Sequence, residues 1–126
     1  MKILIVDDSN MMRKTISKVV VNKGFKPIVA ENGAEALARL RKFESDIALV
    51  IMDWNMPVMD GYETLVKIRS NEKYDNVQIL MATAAGVQED VVKAIKAGAN
   101  GYMVKPFKAE ELSKKITEIL SIKTSK

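Results

Sequence analysis

Five side chains frame the chemistry open to this chain: Asp7, Asp8, Asp53, Thr83 and Lys105. Asp53 ends the run Ile47-Ala48-Leu49-Val50-Ile51-Met52, six apolar residues without a break. An unbroken apolar run bounded by turn chemistry reads as a strand buried on both faces of a parallel sheet. An ionised carboxylate is costly to bury, so Asp53 belongs where that strand leaves the core. The other four residues stand in equivalent places. Asp7-Asp8 closes the apolar run Ile3-Leu4-Ile5-Val6, Thr83 closes Val77 to Ala82, and Lys105 follows Gly101-Tyr102-Met103-Val104. In open α/β sheets the carboxyl ends of the strands are where ligands bind.

Convergence of these residues would have a definite chemistry. Carboxylates ~5 Å apart repel by ~3 kcal/mol per pair at an effective dielectric of ~20, so the cluster needs cations. Lys105 supplies one charge, and a hard divalent ion with oxygen ligands, Mg2+ by preference, supplies more. A carboxylate beside Mg2+ and a lysine suits phosphoryl transfer. Asp53 would attack phosphorus and become an aspartyl phosphate. Lys105 and the Thr83 hydroxyl would offset charge on the transferred oxygens.

Taken singly, each residue has a plainer role. Asp7-Asp8 alone would be a helix cap, Asp53 a strand-end turn residue, Thr83 a cap for the next helix and Lys105 a solvated lysine. Tyr102 at a strand edge is ordinarily packing, and the eight methionines are mostly core residues and gap-fillers. What chance does not supply is three acids, a hydroxyl and a lysine at one end of one sheet.

Composition narrows the field further. The chain has 126 residues, enough for one domain with one core, and is 48% hydrophobic and 29% charged, the balance of a folding chain. A formal net charge of +4 permits acidic partners, but the basic residues are scattered and aromatics make up only 6%, poor material for a nucleic-acid surface. With no cysteine there are no disulfides or thiolate sites, and with no histidine the zinc-hydrolase and Ser-His-Asp chemistries lose their usual parts. No apolar run approaches the ~18 residues of a membrane span, and the start lacks a signal-peptide core. The expectation is a cytoplasmic monomer without a membrane span.

The elements that must position these residues follow in order. Ser9 or Asp8 caps a first helix with Met12, Ile16, Val19 and Val20 on one face and Gly24 at its end. Phe25 to Ala30 reads as a second strand, and Pro27, which cannot donate to a ladder, puts it at a sheet edge. Glu31-Asn32-Gly33 turns into an Ala-rich helix with Leu37 and Leu40 inward. After the Asp53 strand and the loop Met56 to Gly61, a helix from about Tyr62 to Arg69 carries Leu65, Val66 and Ile68 as its apolar positions. Asn71 to Asn76 is a polar connection. A helix from Val87 presents Val91, Ala94 and Ile95 on one face and stops at Gly98. A last helix, roughly Ala109 to Ser121, carries Leu112, Ile116, Ile119 and Leu120, ahead of a frayed tail from Lys123. Five strands alternating with five helices predict a single α/β domain, a doubly wound parallel sheet, and the Pro27 edge agrees with the strand order 2-1-3-4-5.

Asp7-Asp8, Asp53, Thr83 and Lys105-Pro106, in that order and spacing, resemble the receiver domain of two-component response regulators, and the likeness covers the whole chain. Asp53-Trp54-Asn55-Met56-Pro57 with Met59-Asp60-Gly61, and Gly98-Ala99 ahead of Gly101-Tyr102 and Lys105-Pro106-Phe107, are most similar to the stand-alone chemotaxis members of that family. The resemblance implies that Asp53 accepts phosphate from a histidine kinase of the CheA type. It implies direct Mg2+ ligation by Asp8, Asp53 and the Asn55 backbone carbonyl, with Asp7 acting mainly through water. Thr83 and Tyr102 would form a switch that alters the surface of the last two helices and the fifth strand, for binding to the flagellar switch protein FliM. A phosphatase of unknown type would be a further partner, and the Lys105-Pro106 bond would be cis. The implied protein is a signalling phosphoacceptor that catalyses its own phosphorylation and dephosphorylation, with no effector domain and no nucleic-acid target. Ala85 departs from the pattern, since the enteric chemotaxis member has a glutamate there.

Rival readings fit the residues less well. A phosphorelay or chemosensory receiver with a non-flagellar output uses the same site. A haloacid-dehalogenase-like phosphatase wants a second acid two residues after Asp53, where Asn55 stands. A flavodoxin would need a phosphate-cradling first loop, and Asp7-Asp8 would repel phosphate.

Overall fold

A computed structural model describes residues 1–83 and 88–124 of the chain. Five strands, β1 (Lys2–Val6), β2 (Lys26–Ala30), β3 (Ile47–Asp53), β4 (Gln78–Thr83) and β5 (Gly101–Val104), alternate with α1 (Asn10–Asn22), α2 (Gly33–Phe43), α3 (Gly61–Arg69), α4 (Gln88–Lys96) and α5 (Ala109–Thr124). All neighbouring strands run parallel, in the order β2-β1-β3-β4-β5.

Side-chain alternation explains why β3 has no polar residue before Asp53. Leu49 and Ile51 point to one face and pack with Ile16, Val19 and Val20 of α1 and with Leu112, Ile116 and Ile119 of α5. Val50 and Met52 point to the other face, toward Ala36 and Leu40 of α2, Leu65 and Ile68 of α3 and Ala94 of α4. A strand clothed on both faces leaves no position for a solvated side chain. β2 pairs only with β1, so Pro27 does lie on an edge, and Arg39 Nε covers part of that edge by donating to the Val29 carbonyl at 3.2 Å.

The helix ends follow the capping residues. Ser9 Oγ accepts from Met12 N–H at 3.2 Å, Asn32 from Glu35 N–H at 2.9 Å and Asp60 from Glu63 N–H at 2.8 Å. Gly24 and Gly98 take positive φ just beyond α1 and α4, as left-handed helix ends require. Gly61 matters for a different reason. A Cβ there would meet the Asp53 carbonyl oxygen at 2.2 Å, and its N–H donates to the Trp54 carbonyl at 2.7 Å, so α3 starts directly against the end of β3.

Two of the apolar positions read from the sequence turn outward: Val66 is 43% exposed and Ile95 is 49% exposed. In a nine-residue helix the adjacent apolar positions straddle the buried stripe, and α3 and α4 bury Leu65, Ile68 and Ala94 instead. Helix α5 continues to Thr124, past the expected end at Ser121 and into the stretch expected to fray. The connection after α3 holds a single 3-10 turn, Glu72–Tyr74, with Tyr74 buried. Arg69 holds this end together, donating to the carbonyls of Gly98, Tyr74 and Val77 and to Asn100 Oδ1 at 2.8–3.0 Å.

Candidate functional site

The parallel register brings the ends of β1, β3 and β4 level, since Val6 pairs with Met52 and Asp53 with Ala82. Asp7, Asp8 and Asp53 therefore meet, each offering a carboxylate oxygen within 4.8 Å of the others. Asp7 and Asp53 are buried, at 2% and 7% exposure, while Asp8 faces solvent. Lys105 arrives from the end of β5 and bridges the pair, its Nζ 2.8 Å from Asp7 Oδ2 and 3.2 Å from Asp53 Oδ1. The Lys105-Pro106 peptide bond is cis, and Lys105 N–H donates to the Thr83 carbonyl at 2.6 Å.

Asp7 is the most constrained of the acids. Its Oδ1 accepts from Ser9 N–H at 2.9 Å, its Oδ2 from Lys105, and its backbone carbonyl from Arg13 Nη1 at 2.7 Å. With both carboxylate oxygens engaged, Asp7 suits indirect contact with an ion better than direct ligation. Nothing in the sequence pointed to Arg13, because a contact across six residues from a strand end to a helix has no periodic signature.

The charges do not balance. At an effective dielectric of ~20, the Lys105 contact is worth about 5 kcal/mol to Asp53, against at least about 3.5 kcal/mol of repulsion from each of the other two acids. Burial, the largest influence, and Asp7 hold the Asp53 carboxyl above the usual carboxylate range, while Lys105 offsets part of this and Asp8 adds to it. Burial likewise pushes Lys105 down, but its two carboxylate partners outweigh this and leave the ammonium above its ordinary value. An all-oxygen donor set with surplus negative charge and one solvent-facing member fits a hard divalent cation such as Mg2+.

The remaining expected residues fall around this cluster. Thr83 is buried at the end of β4. Tyr102 on β5 turns its hydroxyl inward toward Thr83, where that oxygen is buried and makes no hydrogen bond of standard geometry among the described residues. Burial raises the Tyr102 phenol above its ordinary value, the Thr83 hydroxyl offsets part of the rise, and Asp90 adds to it. Asn55 is exposed in the loop after β3. Ala85 lies outside the described residues.

Trp54, beside Asp53, stacks on Tyr62 with ring centroids 5.5 Å apart and planes at 22°, and Lys93 Nζ of α4 sits 4.3 Å from the Tyr62 centroid. Tyr62 and Lys93 lie on different helices, so only the fold reveals the contact. A separate cavity of about 290 Å3, edged by Met1, Ile47 and Val77, opens at the amino ends of the strands, away from the acids.

A model of the response regulator receiver domain matches residues 3–117. A chemotaxis protein CheY homolog of Campylobacter jejuni is 42% identical over 121 residues, covering 95% of this chain and 92% of the relative. The structure of chemotaxis response regulator CheY4 of Vibrio cholerae superposes with a TM-score of 0.87 at 36% identity, over 94% of this chain and 97% of that one. A CheY in complex with CheX, BeF3 and Mg2+ from Borrelia burgdorferi superposes with a TM-score of 0.89 at 29% identity, over 94% and 88% of the two chains.

Proposed function

The chain belongs to the response regulator receiver family, among its chemotaxis members, and on that footing we propose that Asp53 is a phosphoacceptor whose modification resets the α4–β5–α5 surface. The observation that carries this reading is Lys105 Nζ seated between Asp53 and Asp7 within a cluster of three carboxylates.

Asp53 attacks the phosphorus of a phosphohistidine on a kinase of the CheA type. The new O–P bond forms as the P–N bond breaks, and the electron pair leaves on the imidazole, which takes a proton. The ionised carboxylate of Asp53 is the attacking form, and Lys105 contributes cationic charge beside the developing oxyanions. Asp8, Asp53 and the Asn55 carbonyl, with Asp7 acting through water, would hold a Mg2+ ion, which supplies further neutralisation of the phosphoryl oxygens when bound. Hydrolysis by water restores the Asp53 carboxylate and releases inorganic phosphate. A phosphatase partner would accelerate this second step, and the Borrelia CheY bound to CheX supports a partner acting on such a regulator.

Trp54 makes the chemistry visible, being the single tryptophan and adjacent to Asp53. Adding Mg2+, and then a small phosphodonor such as acetyl phosphate, is expected to change its emission in two separate steps. No change with either addition would remove the reading.

Tyr102 and Thr83 link the site to the output face. Thr83 drawn toward a phosphoryl group would free the space beside Tyr102, whose hydroxyl already lies inward. Val92, Ile95 and Val104 are each more than two-fifths exposed on α4 and β5, which supports an apolar partner surface there. The motor partner is the switch protein FliM. Phosphorylated protein is expected to bind a FliM N-terminal peptide at least severalfold more tightly than unphosphorylated protein in a fluorescence titration. Equal affinity would favour a chemosensory output other than the motor and leave the receiver chemistry standing.

A further inference from the structure

Helix α4 is weakly anchored for an element of an output face. Ala94 is the one fully buried side chain among its described residues, and Val92 and Ile95 are spent on the surface. A specific tie to the body among its described residues is Lys93, whose ammonium lies over the Tyr62 ring. Tyr62 in turn lies flat against Trp54.

The two aromatic rings ride on a rigid base. Trp54 N–H donates to the Ala82 carbonyl at 2.9 Å, and its own carbonyl accepts from Gly61 N–H at 2.7 Å. Tyr62 follows Gly61, which is pressed so closely on Asp53 that any side chain there would collide. Trp54 and Tyr62 therefore move with the end of β3, whereas Lys93 moves with α4. The cation over the ring is a releasable contact between a fixed platform at the acid cluster and a loosely held helix. We propose that Lys93, Tyr62 and Trp54 form a latch that restrains α4 and ties its position to the state of the residue beside Trp54. The latch deepens the phosphoacceptor reading of Asp53, and the coupling half of the proposal rests on it.

Physical chemistry sets the size of the effect. A cation–π contact with an exposed lysine shifts an equilibrium by roughly two- to fivefold, enough to bias a helix with little buried surface and too little to lock it. A device of that strength suits a helix that must move when a signal arrives.

Hydrogen exchange of the full chain tests the latch before any phosphate is added. Lys93→Met is expected to speed exchange of the α4 amides roughly two- to fivefold while α1 and α5 amides keep their rates. Lys93→Arg keeps a cation over the ring and is expected to retain protection. Tyr62→Leu should match Lys93→Met, and the double variant should go no further, because either change removes the same contact. Unchanged α4 exchange in Lys93→Met, or effects of the two variants that simply add, would overturn the latch. A second arm adds acetyl phosphate with Mg2+. The coupled latch predicts that phosphorylation loosens α4 in the wild type and loosens it less in Lys93→Met. Equal loosening in both would overturn the coupling. A protein that takes up no phosphate, by intact mass, would instead count against Asp53 as acceptor, and the result of the first arm would stand.

Discussion

Asp53→Asn is expected to abolish phosphate incorporation and, in the same molecule, to raise thermal stability near neutral pH. The first effect follows from the amide, which has no ionised oxygen to attack phosphorus. The second follows from the charge balance of the cluster. Asp53 gains about 5 kcal/mol from Lys105 but loses at least about 3.5 kcal/mol to each of Asp7 and Asp8 at an effective dielectric of ~20, before burial is counted. A neutral isostere escapes both repulsions, and Lys105 keeps Asp7 as its partner. The gain should be on the order of 1–2 kcal/mol, or roughly 3–10 °C in melting temperature for a chain of this size. Its pH dependence has a fixed sign. The folded Asp53 carboxyl titrates above its unfolded value of 3.8, so between the two values the native state holds more protons and loses stability as pH rises. The advantage of the variant should therefore be largest above that window and shrink as pH falls toward 3.8. Melting curves in chelator across this range, with intact-mass measurement after acetyl phosphate and Mg2+, check both claims. A variant that still takes up one phosphate would move the acceptor elsewhere. A variant less stable than the wild type at pH 7 would mean that the Lys105 contact outweighs the repulsion.

Such opposed effects are what a site built for chemistry should show, since function keeps a charge that stability would discard. They also explain why the centre was legible in the sequence. Residues that violate the burial rules at the end of an otherwise apolar strand stand out, as Asp7 and Asp53 do, and Lys105 follows the end of another strand. Once alternation fixes the sheet as parallel, topology alone carries the strand ends into one place. The details that escaped share a different character. Arg13 on the Asp7 carbonyl, Arg69 on three carbonyls and Lys93 on Tyr62 are long flexible side chains acting across elements. Their partners are backbone atoms or ring faces, which leave no mark on composition or periodicity. Val66 and Ile95 misled for a related reason. A short helix has too few turns for its apolar residues to define one stripe, and the neighbouring helices decide which of them are covered.

Lys105→Met is expected to damage both stability and chemistry. Its ammonium is the one cation paired with the carboxylates of the two buried acids among the described side chains, so the variant leaves Asp7 and Asp53 facing each other unneutralised. Removing one partner of a buried pair costs about 3–5 kcal/mol, and the 15% exposure of the lysine side chain places the loss toward the lower end. In chelator the melting temperature should fall by roughly 10 °C. Added Mg2+ should recover part of the loss, because an ion that binds only the folded cluster stabilises it by mass action. The wild type should also show an alkaline limb that the variant lacks. The folded Lys105 ammonium titrates above its unfolded value of 10.5, so its contribution is complete below that pH and disappears as pH climbs through the higher folded value. Chemistry should suffer separately from folding. Loss of a fixed charge beside the transferred oxygens typically costs about 10²–10³-fold in rate, and saturating Mg2+ should not restore it. Rates of phosphate uptake from acetyl phosphate, measured well below the melting temperature of the variant, isolate that effect. Wild-type uptake by a stably folded Lys105→Met protein would reduce Lys105 to a structural counter-ion. A slow variant whose stability Mg2+ rescues would assign the lysine both roles, with the metal able to replace it in only one.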